Sequence, residues 1–115
     1  MAQLSVYRGD TFSRSLFFTN VSGAAIDITG WIVFFTVKKN EEDLDTAAII
    51  SKDIDTHTNP GLGLSSISLS KDDTDVDPYA YWYDIQIKTG TGEIRTIMKD
   101  KFTVHTDITR RTVIA

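Results

Sequence analysis

Cysteine is absent from the 115-residue chain, and it holds only two prolines and two methionines. Without cysteine there is no disulfide framework and no thiol chemistry, which suits a chain folded in a reducing compartment. Long apolar runs are missing too. The longest, Trp31 to Phe35, is far too short for a membrane helix, and Met1 to Arg8 contains no basic segment followed by an apolar stretch of the secretory kind. Positive charge is scarce: the formal net charge is −4, and basic residues gather only at Lys38-Lys39, Lys99–Lys101 and Arg110-Arg111. That balance disfavours a phosphate-backbone partner. Neither nucleic acid nor a membrane is an expected partner.

The chain has the length of one domain and is rich in β-branched and aromatic residues arranged with a period of two. Tyr79 to Lys88 is the clearest case. Tyr79, Tyr81, Tyr83, Ile85 and Ile87 fall on one face, and Ala80, Trp82, Asp84, Gln86 and Lys88 on the other. Pro78 stands at the strand's start, where a missing donor is tolerated. Thr89-Gly90-Thr91-Gly92 is a hairpin turn, and Glu93 to Val104 follows as a strand with Ile94, Met98, Phe102 and Val104 in one parity. Lys99-Asp100-Lys101 interrupts that pattern, as a bulge would.

Upstream, Gln3 to Tyr7 and Thr11 to Thr19 read as strands joined by Arg8-Gly9-Asp10. Phe12, Leu16 and Phe18 point inward, and Arg14 shares their parity. Trp31 to Lys39 is apolar on both faces at its start, as befits a strand inside its sheet or one with a covered outer face. Ala47 to Lys52 and Leu64 to Ser70 are further strands, and Lys71 to Val76 has room for one helical turn. Seven or eight short strands without a convincing helix predict an all-β, immunoglobulin-like antiparallel sandwich over residues 1–104, with a tail at 105–115. Asp75 to Tyr81 supports the immunoglobulin-like form: Tyr79 stands where such domains carry a corner tyrosine, and Tyr81 where their inter-sheet cysteine lies.

Chemistry-bearing patterns are sparse. Arg8-Gly9-Asp10 spells an adhesion tripeptide, but its simpler role is a strand connection with a permissive glycine. Asp73, Asp75 and Asp77 alternate as calcium-binding carboxylates can, yet no glycine or glutamate follows at the spacing of a calcium loop. His57 and His105 are isolated, with no nucleophile motif beside them, and no glycine-rich loop opens a helix. No catalytic residue, metal or cofactor is expected.

Four stretches carry a resemblance. Leu4-Ser5-Val6-Tyr7-Arg8-Gly9-Asp10-Thr11-Phe12 looks like the opening of small immunoglobulin-like domains of bacteriophage tail and baseplate proteins. Ile26 to Trp31 with Phe35-Thr36-Val37-Lys38, Leu69 to Thr74, and Tyr81 to Gln86 are similar to their later blocks, so the likeness spans most of residues 4–104. Within that group the chain most resembles the amino-terminal domain of baseplate upper proteins. The resemblance implies a non-enzymatic virion protein, made in the bacterial host cytoplasm, that forms homo-oligomers and holds other tail, baseplate or fibre proteins. The alternative reading is a carbohydrate- or receptor-binding module. Trp82 and Phe34 on the outward parity, with Ile108, Val113 and Ile114 in the tail, have no place in a two-sheet core and are the expected interface residues.

Overall fold

A computed structural model of the protein describes residues 3–108. Among these residues seven strands form two sheets: β1 (Leu4–Tyr7), β2 (Phe12–Phe17), β3 (Ile32–Lys38), β4 (Ile50–Ile54), β5 (Leu64–Leu69), β6 (Tyr79–Lys88) and β7 (Ile94–His105). The larger sheet has the order β1-β7-β6-β3-β4; the smaller is the antiparallel pair β2-β5. All pairs in the larger sheet are antiparallel except β1 with β7. The chain is all-β, and residues of both sheets share one core.

That core follows from strand parity. Val33, Phe35, Val37, Tyr81, Tyr83, Ile85, Ile87, Phe102 and Val104 from the larger sheet meet Leu16, Ile67 and Leu69 from the smaller one. Phe12, Phe102, Phe35 and Tyr83 run through it as a chain of tilted and edge-on ring contacts, with successive centroids 5.9, 6.0 and 5.8 Å apart. These offset geometries are the ones that the charge distribution of an aromatic ring favours. β3 lies between β6 and β4, which accounts for its doubly apolar start.

The structure corrects several expectations. Ala47 lies in a short 3-10 turn (Asp45–Ala47), and β4 begins three residues later than the apolar pattern suggested, at Ile50. Lys71 to Val76 holds the expected single turn, closed by Thr74 N–H donating to the Ser70 carbonyl at 3.3 Å, and does not extend into a helix. The irregularity in β7 lies not at Lys99–Lys101 but where Ile85 pairs with Met98 and Gln86 pairs with Thr96, leaving Ile97 as the extra residue. One inserted residue reverses parity, so Met98 still packs on the core while Ile94 is exposed. His105 belongs to β7, opposite Tyr7, so the tail begins after it.

The corner before β6 also differs from the sequence reading. Tyr79 is exposed. It is the Tyr81 hydroxyl that turns back and donates to the carbonyl of Asp77 at 2.5 Å. A buried phenol needs such a partner, and Tyr81 finds it four residues upstream. The neighbouring turn is closed by reciprocal bonds, Ser70 N–H to Asp73 Oδ2 at 2.8 Å and Asp73 N–H to Ser70 Oγ at 3.2 Å. Buried Thr74 donates to the Asp10 carbonyl at 2.6 Å, tying this corner to the turn that enters β2.

Gly63, between the 3-10 turn Pro60–Leu62 and β5, has no room for a side chain. With φ at 71°, a Cβ would stand 2.5 Å from the Phe18 carbonyl oxygen and 2.8 Å from that of Ile26. Only glycine satisfies both the left-handed backbone and this approach.

Candidate interaction face

The outward side of the larger sheet holds the most varied chemistry. Across it run rows of paired residues: Lys101, Trp82 and Lys38; Lys99, Asp84, Thr36 and Ser51; Thr96, Gln86, Phe34 and Asp53. The surface is concave, a groove of about 720 Å³ whose lining includes Phe34, Thr36, Trp82, Asp84, Gln86 and Lys99. Phe34 and Trp82 are both half-buried on this face. They do not form one apolar patch: the Thr36–Asp84 row separates them.

Charge crosses the groove. Lys99 on β7 reaches over β6 to Glu41, in the loop after β3, at 2.8 Å. Lys38 reaches Asp45 Oδ1 at 2.7 Å and the Asp43 carbonyl at 2.8 Å. Lys101 Nζ stands 3.7 Å from the centre of the Trp82 ring, with Lys99 Nζ at 5.8 Å. Cations in these positions are attracted by the negative face of the indole, and they cover part of its apolar surface.

Asp84 sits at the centre of these groups. Burial raises its carboxyl above the usual 3.8, Asp45 adds to that rise, and Lys38 and Lys99 oppose it. Both lysines are engaged with other acids, and Gln86 Nε2 donates to Asp84 Oδ2 at 3.5 Å. Asp84, Gln86 and Thr96 were not singled out in the sequence. Outward parity was the only signal they carried, and the bulge at Ile97 hid which β7 residues join them.

Of the remaining interface residues expected from the sequence, Ile108 is 98% exposed, and Val113 and Ile114 lie outside the described residues.

The other candidates are built into the framework. His57 accepts from or donates to Ser65 Oγ through Nδ1 at 2.9 Å, and its Nε2 donates to the Trp31 carbonyl at 2.8 Å. A serine beside a histidine has the spacing of a nucleophile and its base. Here Ser65 is only 2% exposed, so the pair anchors the segment before β5 to the start of β3 and presents no hydroxyl to a substrate. Within Arg8-Gly9-Asp10, Gly9 takes a positive φ of 81°, and the Arg8 guanidinium is bonded to Asp75 at 3.0 Å. Asp73 turns the other way, to Lys52 at 2.9 Å. Among the described residues no three acidic, histidine or cysteine side chains gather as a metal site, and no helix is long and apolar enough to cross a membrane.

No protein-family model, no curated protein and no solved structure matches the chain.

Proposed function

We propose that this domain is a non-enzymatic structural protein of a bacteriophage particle, a tail, baseplate or fibre-adaptor component that works by protein–protein contact. Its sandwich is of the immunoglobulin-like kind. Two features support that finer fold. The order β1-β7-β6-β3-β4 opposite β2-β5 has the first strand parallel to the last and the two central hairpin strands beside β3. The Tyr81 hydroxyl bonds back to the chain before β6, as a corner tyrosine does, which leaves Tyr83 in the core position two residues on.

The observation that carries the functional reading is the outer face of the larger sheet, where Trp82 and Phe34 stand half-buried in a groove edged by Glu41 and Asp45 and covered by no second sheet among the described residues. Large aromatics framed by polar groups are the anchors of protein interfaces. The assignment to a phage particle rests on the residue resemblance across Leu4–Phe12, Ile26–Lys38, Leu69–Thr74 and Tyr81–Gln86. The test is co-purification with the products of neighbouring genes, followed by antibody labelling of purified particles. Labelled particles and co-purification lost in Trp82→Ser are the expected results. A chain absent from particles overturns the reading.

One observation favours the carbohydrate-binding alternative: the groove combines an indole with Asp84, Gln86 and Thr96, groups that hydrogen-bond hydroxyls. Against it, Lys101 lies over the ring that a sugar would stack on. A glycan array on the wild type and Lys101→Ala separates the two readings, since sugar binding strengthened by the alanine supports the alternative.

A further inference from the structure

Each sheet leaves two strand edges open among the described residues: β1 and β4 in the larger sheet, β2 and β5 in the smaller. An open edge is a row of unpaired backbone groups, and proteins guard such rows with short strands, charges, prolines or bulges. β1 is four residues long. β4 carries Lys52 and Asp53 side by side, and β2 turns a charge, Arg14, inward. β5 has none of these, and the segment before it covers only its first end, through Asn59 at Leu64 and His57 at the Ser65 side chain. The β5 sequence, Leu-Ser-Ser-Ile-Ser-Leu, holds neither charge nor proline, and its six-pair register with β2 runs without a bulge.

The backbone directions identify which groups are open. Leu64 exchanges both its bonds with Asn59, at 3.1 and 3.0 Å, on the side away from β2. In an antiparallel ladder alternate residues direct both groups to the same side. Ser66 and Ser68 therefore aim their N–H and C=O past Asn59, where no described strand receives them. The outward side chains around Ser66 and Ser68 are small and neutral, with Ser13 opposite Ser68 and Ser15 opposite Ser66, and exposed Phe17 lies beyond them opposite Leu64.

We propose that β5 pairs antiparallel with β5 of a second copy of this chain about a two-fold axis, so that the smaller sheet becomes β2-β5-β5-β2. A two-fold contact must be self-complementary. An uncharged strand with matching donors and acceptors meets that condition, whereas β4 would bring two charged strands together. The pairing also enlarges a two-stranded sheet, the least stable sheet unit. The inference rests on the assembly reading for its claim that the domain works as an oligomer, but it uses a surface distinct from the Trp82 face.

The experiment is sedimentation and light scattering of the full chain over a wide concentration range, with circular dichroism as the check on folding. Wild type, Ser68→Lys, Ser66→Pro, Ser68→Thr and Trp82→Ser are compared. Ser68 is exposed, and Ser66→Pro removes an N–H that β2 does not use. Wild type and Ser68→Thr are expected to dimerise. Ser68→Lys and Ser66→Pro should remain folded and dissociate more readily by about tenfold or more, as losing ladder bonds at an edge implies. Backbone amides of Ser66 and Ser68 should exchange more slowly in the dimer. A wild type that stays monomeric overturns the pairing. So does a dimer indifferent to both edge variants; if Trp82→Ser dissociates that dimer, the edge pairing fails while the assembly reading stands.

Discussion

The two faces of β6 are made by the same ten residues and are held in place by different things. On the inner face Tyr81, Tyr83, Ile85 and Ile87 are buried in a core drawn from both sheets. On the outer face Trp82, Asp84 and Gln86 are half-buried beneath long side chains from β7, β3 and the loop after β3. The inner face is closed by apolar contact, which needs only the right parity and volume. The outer face is closed by charge: a cation over the indole, an ion pair across the strand, a carboxylate between two occupied lysines. The first arrangement supports stability, and the second leaves groups free to re-partner when another surface arrives.

The largest effect should come from the inner face. Phe35→Ala and Tyr81→Ala are each expected to cost about 3–5 kcal/mol, the range for truncating a packed aromatic, as measured by urea denaturation. Unchanged midpoints for both would erase the distinction between the faces. Tyr81→Phe sharpens it by keeping the ring and removing only the bond to the Asp77 carbonyl, so a loss of about 1 kcal/mol is expected. A change matching the alanine variant would place the whole contribution in the hydroxyl.

Trp82→Ser comes next in size. It removes a half-buried ring on which Lys101 rests, so the fold should persist with a loss below about 2 kcal/mol. Partner capture should disappear. Unfolding by this change would mean that the outer face is as structural as the inner one.

The smallest effects are pH-dependent and opposite in sign. Asp73 in the corner pays for its burial and is still held below the usual 3.8 by Ser70 and Lys52. Its folded pKa is depressed, so its contribution is complete above the unfolded value and is lost as pH falls through the folded one. Asp84 on the outer face is raised by burial. Its folded form binds the proton more tightly than the unfolded chain does, so stability falls as pH rises from the unfolded value through the folded one. Asp84→Asn should therefore be more stable than wild type at neutral pH and equal to it in acid. Asp73→Asn should be less stable at neutral pH and converge with wild type in acid. Thermal melts across the acid range read both. Parallel shifts in the two variants would contradict the assignment of burial without pairing to Asp84.

Much of this was legible in residue order. The tyrosine and isoleucine alternation of β6 and the apolar run of β3 identify buried faces directly, because side chains alternate across a strand whatever lies beside it. The rest was not. β4 begins three residues after the apolar pattern does, because Ala47 to Ile50 is apolar enough for a strand but is partly taken up by a 3-10 turn. Ile94 shares the sequence parity of Met98, Phe102 and Val104 and yet is exposed, because a bulge changes parity without leaving a mark in composition. Tyr79 and Tyr81 are both tyrosines on the same parity, and only the position of the turn decides which hydroxyl reaches the backbone.

What the sequence alone determined is the all-β class, the core parity of β3 and β6, and the absence of thiol chemistry. Each depends on side-chain period or on composition, which are properties of the chain itself. What only the tertiary structure decided is the meaning of the outward residues. Asp84 has a raised pKa because its burial outweighs the opposing pull of Lys38 and Lys99, Lys101 covers Trp82 because β7 lies beside β6, and β5 is an open edge because no described strand lies past Asn59. These depend on which strands become neighbours, a matter settled by packing between residues distant in the chain.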